Sequence, residues 1–277
     1  MNPNAVDIFI FSFNRGPWLS NLAKSVKEFI ALEFDVAMHV FDDQSNDAHT
    51  LEVLERLRGQ GVQIHHSTDF EAQGRGTRGG LYAGIDAAVI HVARKGCIAL
   101  LLQDDMQIVR PVTLADIVTV KDLVQNTGNP FVYVNFLTGG EEYRKRTMMW
   151  CEEGYYIKYS PRDRRNRSYT DVCAVDVDLL RNSEFVFDRS EKSIDSRAAE
   201  VFGPMAWSPF PFTAMLPDPA VYREGQLFSG KVFSFEAIDE ESLYRFMNRD
   251  VQVELPVAEK YLQVKDVELP TPWRYVV

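Results

Sequence analysis

The first half of the chain alternates short apolar runs with longer segments in which apolar residues recur every three or four positions. Short apolar runs that are bounded by turn-forming residues predict buried strands. These runs are VDIFIFSFN (6–14), FDVAMHVFDD (34–43), VQIHHS (62–67), CIALLLQDD (97–105) and FVYVNFL (131–137).

The segments between these runs carry the spacing of helices. Apolar residues follow Pro17, which the first turn of a helix tolerates, at Trp18, Leu22, Val26 and Phe29. Further helices are predicted over 50–61, 81–96 and 113–128, and each of these segments ends on a glycine. Strands that alternate with helices of this length predict an α/β fold with a mostly parallel central sheet and helices on both faces.

The second half of the chain has a different character. Residues 141–170 concentrate arginine and lysine, which predicts either a solvated loop or a lid that closes cations over an anionic ligand. Residues 204–225 are dense in proline, which excludes a regular helix and predicts ordered loops. Residues 254–277 predict an extended arm, and an arm of this kind leaves a homodimer open.

The charge and cysteine content narrow the function classes. A formal net charge of -10 and a pI near 5.1 disfavour a nucleic-acid partner or an anionic membrane surface, because both need a basic face. Cys97, Cys151 and Cys173 show no CxxC spacing, so we expect reduced thiols and a cytoplasmic protein. No apolar run approaches the roughly 20 residues that span a bilayer, so no integral membrane segment is expected. Peripheral attachment to the inner face of a membrane through a partner stays compatible with this composition.

Polar clusters follow the predicted strands at the points where the strands end. They are SFNR (12–15), DDQSND (42–47), GRGTRGG (74–80) and QDD (103–105). Ligands of open α/β sheets bind beyond the carboxyl ends of the strands, so these clusters are expected to converge on one crevice. Each has a structural alternative: a turn and helix cap for 42–47, a flexible loop for 74–80, and a solvated strand end for 103–105.

The order of these clusters resembles the nucleotide-sugar-binding half of GT-A glycosyltransferases, in particular the family 2 type. The resemblance covers about residues 5 to 115. It implies a GT-A-like fold, with a Rossmann-like nucleotide-sugar-binding half over 1–140. Residues 141–277 would form the acceptor-binding and lid half of the same single domain, with the C-terminal arm.

The resemblance also implies an activity. The chain would move a sugar from a nucleoside-diphosphate sugar donor to the hydroxyl of a glycan, lipid-linked or other small acceptor, with inversion. The cofactor would be Mn2+ or Mg2+, because a hard divalent ion prefers carboxylate oxygens and bridges them to phosphate. A cation of this kind explains why the adjacent carboxylates of Asp104 and Asp105 would be favourable.

Site residues follow from the same resemblance. Asp105 would be the metal ligand, Asp104 would lie near the ribose or donor sugar, and Gln103 takes the place of a first acid. Asp43 would accept from the base or ribose with Asp42 beside it. The remaining substrate-binding candidates are Phe13 and Asn14 in the base pocket, Arg15 and Ser45 from the same two motifs, and Arg78 at a phosphate or the donor.

An inverting transfer needs a base that takes the proton of the acceptor hydroxyl. The candidates are Asp195, which is expected to precede a helical stretch and which we favour, and Asp171; a helix cap or a surface charge is the alternative for each. Two other functions stay open. A sugar nucleotidyltransferase would show a G-x-G-x-R motif after the first strand, where SFNRGPW stands instead, and a non-catalytic nucleotide-sugar-binding protein is compatible with Gln103 in place of an acid.

Overall fold

The structure is a computed structural model, and it describes most of the first 215 residues. The described ranges are 4–30, 34–66, 69–70, 80–135, 148–151, 154–160, 165–166, 168–170, 172–183, 185–187, 191–215, 221–223 and 226–228. Several predicted features lie outside these ranges. They are the glycine-rich segment with Arg78, the candidate base Asp171, most of the basic segment and the C-terminal arm.

The elements alternate as the hydrophobic pattern predicts over the first half. The helices are α1 (Gly16–Phe29), α2 (Ala48–Gly59), α3 (Leu81–Ala87, followed by a π-helical turn at Ala88–Val92), α4 (Leu114–Thr127), α5 (Val177–Asn182) and α6 (Glu191–Phe202). The strands are β1 (Ala5–Ser12), β2 (Asp35–Asp42), β3 (Gln63–His66), β4 (Ile98–Gln103), β5 (Met106–Ile108), β6 (Phe131–Tyr133), β7 (Met148–Cys151), β8 (Tyr155–Ser160), β9 (Arg165–Asn166), β10 (Cys173–Asp176), β11 (Ala206–Trp207), β12 (Thr213–Met215), β13 (Val221–Arg223) and β14 (Gln226–Phe228).

One large sheet organises the fold. Its order is β3-β2-β1-β4-β10-β6-β11-β8-β7, and β9 pairs with β8. The pairings make β8 and β10 antiparallel to their neighbours, while the other strands of this sheet run in one direction. The α/β fold with a mostly parallel sheet is therefore confirmed.

The strand order also fixes where the helices lie. The chain moves outward from β1 to β3 through α1 and α2, and then returns past β1 to β4 through α3. Right-handed crossovers place helices on opposite faces when the direction of winding reverses. The reversal occurs between β1 and β4, so the carboxyl ends of β1, β2 and β4 border a crevice of the kind that binds ligands in such sheets.

Two element ends differ from the sequence prediction, and both lie at this crevice. The strand predicted through residue 105 ends at Gln103, because Asp104 donates its backbone N–H to the carbonyl of Phe11 and the chain then turns. After the turn, β5 pairs with β12 in a separate small sheet. The helix predicted over 81–96 ends at the π-helical turn instead of at Gly96.

The core lies on both faces of β1 and β4, whose apolar side chains are almost fully buried. The largest buried side chain, Trp18 of α1, belongs to the helical stripe that the sequence predicts. None of the helices within the described ranges is both long and apolar enough to cross a bilayer. Strands from both halves of the chain join one sheet, and the division near residue 140 stays a prediction.

Candidate functional site

A cleft of about 330 Å³ opens beyond the carboxyl ends of β1, β2 and β4. Its apolar wall is formed by Phe11, Phe41, Leu81 and the backbone of Gly84. Six of the predicted site residues line the rest of it: Phe13, Arg15, Asp42, Asp43, Gln103 and Asp104. The predicted convergence of polar clusters from three different strand ends on one crevice is therefore present.

Asp104 is held rigidly at the base of this cleft. Its Oδ2 accepts hydrogen bonds from the Ser12 hydroxyl at 2.9 Å and from the backbone N–H of Phe13 at 3.3 Å. Its Oδ1 accepts from Nη1 of Arg15 at 3.0 Å. Since β1 and β4 are parallel neighbours, the end of β1 supplies all of these partners. Only 3% of Asp104 is exposed, so its geometry is set before any ligand arrives.

Arg15 also binds Asp105, and this bridge explains how the two adjacent carboxylates coexist. Nη1 of Arg15 lies 2.9 Å from Oδ2 of Asp105. Burial raises the pKa of Asp104 to about 6, with Asp105 acting in the same direction and Arg15 opposing it. Burial likewise raises the pKa of Asp105, against the pull of Arg15. One guanidinium therefore compensates two buried acids only in part.

The other oxygen of Asp105, Oδ1, is buried, and no hydrogen-bond donor among the described residues reaches it. A buried carboxylate oxygen without a donor is costly unless a ligand or a cation satisfies it. No group of three or more His, Cys, Asp or Glu side chains within the described ranges could hold a metal ion by itself. The carboxylate oxygens present suit a divalent cation that takes its other ligands from a phosphate, as Mg2+ often does.

Asp42 also has a buried oxygen without a donor among the described residues, and unlike Asp105 it is among the residues that line the cleft. Its Oδ2 accepts from the backbone N–H of Ser45 at 2.9 Å, and Nδ1 of His66 lies 3.5 Å away. Its Oδ1 is buried and receives no hydrogen bond from the described part of the chain. Asp43 follows, half-buried, at the rim of the cleft. Oδ1 of Asp42 is thus an acceptor that is unused within the described residues.

Asn14 and Ser45 join the loops that carry these acids. The backbone N–H of Asn14 donates to the Ser45 hydroxyl at 2.8 Å, and Oδ1 of Asn14 accepts from the backbone N–H of Asn46 at 2.8 Å. Asn14 adopts a left-handed backbone conformation with φ of 51°, which asparagine tolerates better than most residues. It is 3% exposed, so its observed contacts position the loops, and its predicted role in the base pocket stays a prediction.

Part of the 42–47 cluster has the structural role that was left open as its alternative. Asp47 caps α2, because its side chain accepts from the backbone N–H of Thr50 at 2.9 Å. Gly16 at the start of α1 packs so closely on this cap that an added Cβ would lie 2.9 Å from the Cα of Thr50. The cluster therefore combines a helix cap at its end with cleft residues at its start.

Asp195 lies within α6, where its Oδ1 accepts from the backbone N–H and the hydroxyl of Thr170, each at 3.1 Å. The expectation that Asp195 precedes the helix is thus corrected, since α6 begins at Glu191. Thr170 leads into β10, whose antiparallel pairing aligns Cys173 with Leu101 near the end of β4. Thr170 is therefore at the same edge of the sheet as Asp104.

Several residues of the site escaped the sequence analysis. Phe11 and Phe41 belong to predicted strands, and only the alternation of inward and outward positions at a strand end could have assigned them to the cleft. His66 and Thr170 lie far from the acids along the chain, and no motif connects them. The structure leaves Arg78 and Asp171 outside the described residues, so their roles stay predictions.

Comparison with known proteins finds similarity in fold and not in sequence. No protein-family model matches the chain, and no curated protein matches it. TarS 1-349 from S. aureus in complex with UDP aligns with a TM-score of 0.52 and 12% identity, over 78% of this chain and 61% of that one. GalNAc-T7 with UDP, GalNAc and Mn2+ aligns with a TM-score of 0.51 and 14% identity, over 81% of this chain and 45% of that one.

The chain spans less than two thirds of the length of these solved relatives, and identities this low show the fold alone. The fold that they share with this chain is the GT-A fold, with its mostly parallel central sheet flanked by helices.

Proposed function

We propose that the chain is a GT-A glycosyltransferase of the family 2 type, which transfers a sugar with inversion from a nucleoside-diphosphate sugar to an acceptor hydroxyl. The observation that carries this proposal is the convergence of Asp42, Arg15 and Asp104 on one cleft at the carboxyl edge of the sheet. Two structures of similar fold hold UDP, one of them with Mn2+, and this supports a nucleotide-sugar ligand for the cleft.

The cleft has the composition that a nucleotide needs. Phe11, Phe41 and Leu81 offer an apolar wall to a base, and the open oxygen of Asp42 accepts a hydrogen bond from a base or ribose donor group. Phe13 is 44% exposed at the same cleft, where its ring is accessible for stacking. Asp43 at the rim adds a second acceptor for a ribose hydroxyl.

The diphosphate would lie toward Asp104 and Asp105. A bound Mn2+ or Mg2+ would neutralise the diphosphate beside Asp105 and stabilise the leaving group. The chain's own part is to fix the acids in place: Ser12 and Phe13 hold Asp104, and the turn after β4 holds Asp105 next to it. These contacts of Asp104 exist without ligand, so its carboxylate needs little reorganisation when a ligand binds.

Asp195 is our candidate for the base. Its Oδ1 is fixed by two hydrogen bonds from Thr170, a contact that orients the carboxylate at the edge of the sheet where the sugar would emerge. A carboxylate in this place takes the proton of the acceptor hydroxyl as the oxygen attacks the anomeric carbon. The acceptor class is a glycan, a lipid-linked glycan or another small hydroxyl compound.

A donor panel tests the proposal. Purified protein is incubated with UDP- and GDP-sugars and Mn2+, and the released nucleoside diphosphate and the products are measured by mass spectrometry. Asp195→Asn should lower the transfer rate by about 10²–10⁴-fold, the usual contribution of a general base. Asp105→Asn should weaken metal-dependent turnover, while Asp122→Asn, an exposed change on α4, should act as wild type.

Binding of a nucleotide without any turnover would contradict the enzymatic proposal. It would favour the non-catalytic nucleotide-sugar-binding alternative, which Gln103 at the end of β4 keeps open. Turnover of Asp195→Asn at the wild-type rate would instead remove Asp195 as the base.

A further inference from the structure

Arg15 binds the acid pair with only one of its nitrogens. Nη1 contacts Oδ1 of Asp104 at 3.0 Å and Oδ2 of Asp105 at 2.9 Å. Within the described residues, neither Nε nor Nη2 of Arg15 donates a hydrogen bond, although a guanidinium carries five N–H donors. The side chain is 19% exposed and lines the cleft, so its unused donors are within reach of a ligand.

Arg15 also covers an oxygen that a cation would need. Oδ2 of Asp104 is occupied by Ser12 and Phe13, so a cation that binds both carboxylates takes Oδ1 of Asp104. At Asp105 it takes Oδ2 or the buried Oδ1, which has no donor among the described residues. Nη1 of Arg15 binds Oδ1 of Asp104, so a divalent ion and Arg15 compete for this oxygen.

The charge balance points in the same direction. Two carboxylates and one guanidinium sum to a net negative charge, which repels a diphosphate. If a divalent ion replaces Arg15 at the carboxylates, the pair of acids is neutralised and the guanidinium becomes a second positive group for the phosphates. Arg is suited to that second role because its planar fork matches phosphate oxygens.

We infer that Arg15 exchanges partners during ligand binding. In the free protein it is the counter-ion of Asp104 and Asp105, and when a diphosphate enters with a divalent ion it leaves these acids and binds the diphosphate. The inference rests on the proposed function for the nature of the ligand. Its consequence is that cation and diphosphate bind cooperatively, and that each raises the affinity for the other by the same factor.

The first test measures binding of Mn2+ alone by isothermal titration calorimetry. Arg15→Gln removes the competing cation, so it should bind Mn2+ about tenfold or more tightly than wild type. Arg58→Gln removes an equal charge from the exposed surface of α2 and should leave the affinity unchanged. An Arg15→Gln protein that binds Mn2+ no more tightly than wild type overturns the inference.

The second test measures binding of inorganic pyrophosphate in the presence of EDTA. Asp105→Asn loosens the hold on Arg15, so it should bind pyrophosphate several-fold more tightly than wild type, and Asp122→Asn should not. The gain should vanish when Asp105→Asn is introduced into the Arg15→Gln background. A gain of equal size in both backgrounds would show a general charge effect and would refute the exchange.

The two proposals fail separately. Absence of any UDP- or GDP-sugar binding, with both tests positive, would remove the proposed function and leave the exchange at a site for another diphosphate. Donor turnover with both tests negative would keep the function and remove the exchange. Circular dichroism verifies that each variant folds. If Arg15→Gln does not fold, the pyrophosphate affinities of Asp105→Asn and wild type in EDTA are compared instead. Equal affinities overturn the inference.

Discussion

Arg110 and Arg15 both bind buried carboxylates, and they do so in opposite ways. Arg110 forms a bidentate pair with Asp116, at 2.9 Å through Nη1 and 2.6 Å through Nη2, and is 3% exposed. Its remaining donors reach the backbone carbonyls of Pro211, Pro111 and Phe210. Arg15 instead donates to both acids through Nη1, and its Nε and Nη2 donate no hydrogen bond within the described residues.

The acceptors differ in the same way. Both oxygens of Asp116 are bound, and Thr113 adds its backbone N–H and hydroxyl to Oδ2. In the Arg15 cluster, one oxygen of Asp105 has no donor within the described ranges. In the Arg110–Asp116 pair every donor and acceptor is used, so this saturated pair only joins the start of α4 to the loop before β12. The Arg15 cluster has unused donors and an unused acceptor within the described residues, and these can bind a ligand. Unused hydrogen-bonding groups therefore distinguish the Arg15 cluster, which we propose binds a ligand, from the Arg110–Asp116 pair, which is structural.

The largest effect is expected from breaking the saturated pair. Arg110→Gln leaves the buried Asp116 and three backbone carbonyls without their charged partner, so it should lower the free energy of unfolding by about 3–5 kcal/mol. Arg15→Gln should cost less, about 1–2 kcal/mol, because Asp104 has a raised pKa and can take up a proton instead. Urea unfolding at neutral pH measures both values. Equal losses for the two variants would mean that the contrast has no energetic basis.

The sequence predicts the acids of the cleft, but it predicts neither of the two arginine partners. The acids of the cleft were predictable, because QDD follows an apolar run and ligands bind beyond strand ends in such sheets. That Arg15 binds them was not, because 89 positions separate it from Asp104 and no spacing rule connects residues so far apart. The Arg110–Asp116 pair is local but depends on the loop at 210–211, which folds back from a hundred residues away.

The same limits apply to the sheet. The parallel strands β1 to β4 were predicted because each is an apolar run next to a helical segment. Their order was not predicted, since the crossover rule fixes the handedness of a connection and not that β4 pairs with β1. The antiparallel β10, inserted between β4 and β6, was not predicted, since its four residues carry no alternation that distinguishes a strand from a turn. The small β5–β12 sheet has three residues per strand and depends wholly on tertiary pairing.

A medium effect is expected from pH, and it sharpens the contrast. The folded-state pKa of Asp104 is about 6, against an ordinary value of 3.8, so the native state binds the extra proton between these values. Stability contributed by this group is therefore low above pH 6 and rises as the pH falls toward 4. The gain should amount to about 2–3 kcal/mol.

Asp104→Asn removes this titrating group, and because Arg15 contacts Asp105 as well, the comparison reports on the acid pair as a whole. The difference in unfolding free energy between wild type and the variant, measured by urea titration from pH 7 to pH 4, should shift in favour of wild type as the pH falls. His39 opposes the trend in both proteins, because burial lowers its pKa to about 4, and it cancels in the difference. A difference that is constant over the range would refute the raised pKa of Asp104.

The smallest effect is expected at the apolar wall of the cleft. A Cβ at Gly84 would lie 3.3 Å from Cδ1 and 3.4 Å from Cε1 of Phe11, so Gly84→Ala should push the Phe11 ring toward the ligand space. Gly59, at the end of α2, has no atom within 4 Å of a Cβ, so Gly59→Ala supplies the control. Alanine favours a helix over glycine by up to about 1 kcal/mol, and Gly59→Ala should show a gain of that kind.

In Gly84→Ala, crowding against Phe11 should cancel the gain in stability that alanine gives a helix, and nucleoside-diphosphate binding should weaken by a few-fold. Gly59→Ala should leave binding unchanged. Thermal unfolding and calorimetry with UDP and GDP provide the two measurements. Because a shift of the Phe11 ring leaves the hydrogen bond from Asp104 to the Phe11 carbonyl in place, Gly84→Ala should also leave the affinity for Mn2+ alone as in wild type. Loss of Mn2+ binding in this variant would show that wall and acid pair move as one unit, and the division of the cleft into a rigid apolar side and an exchangeable ionic side would then be wrong.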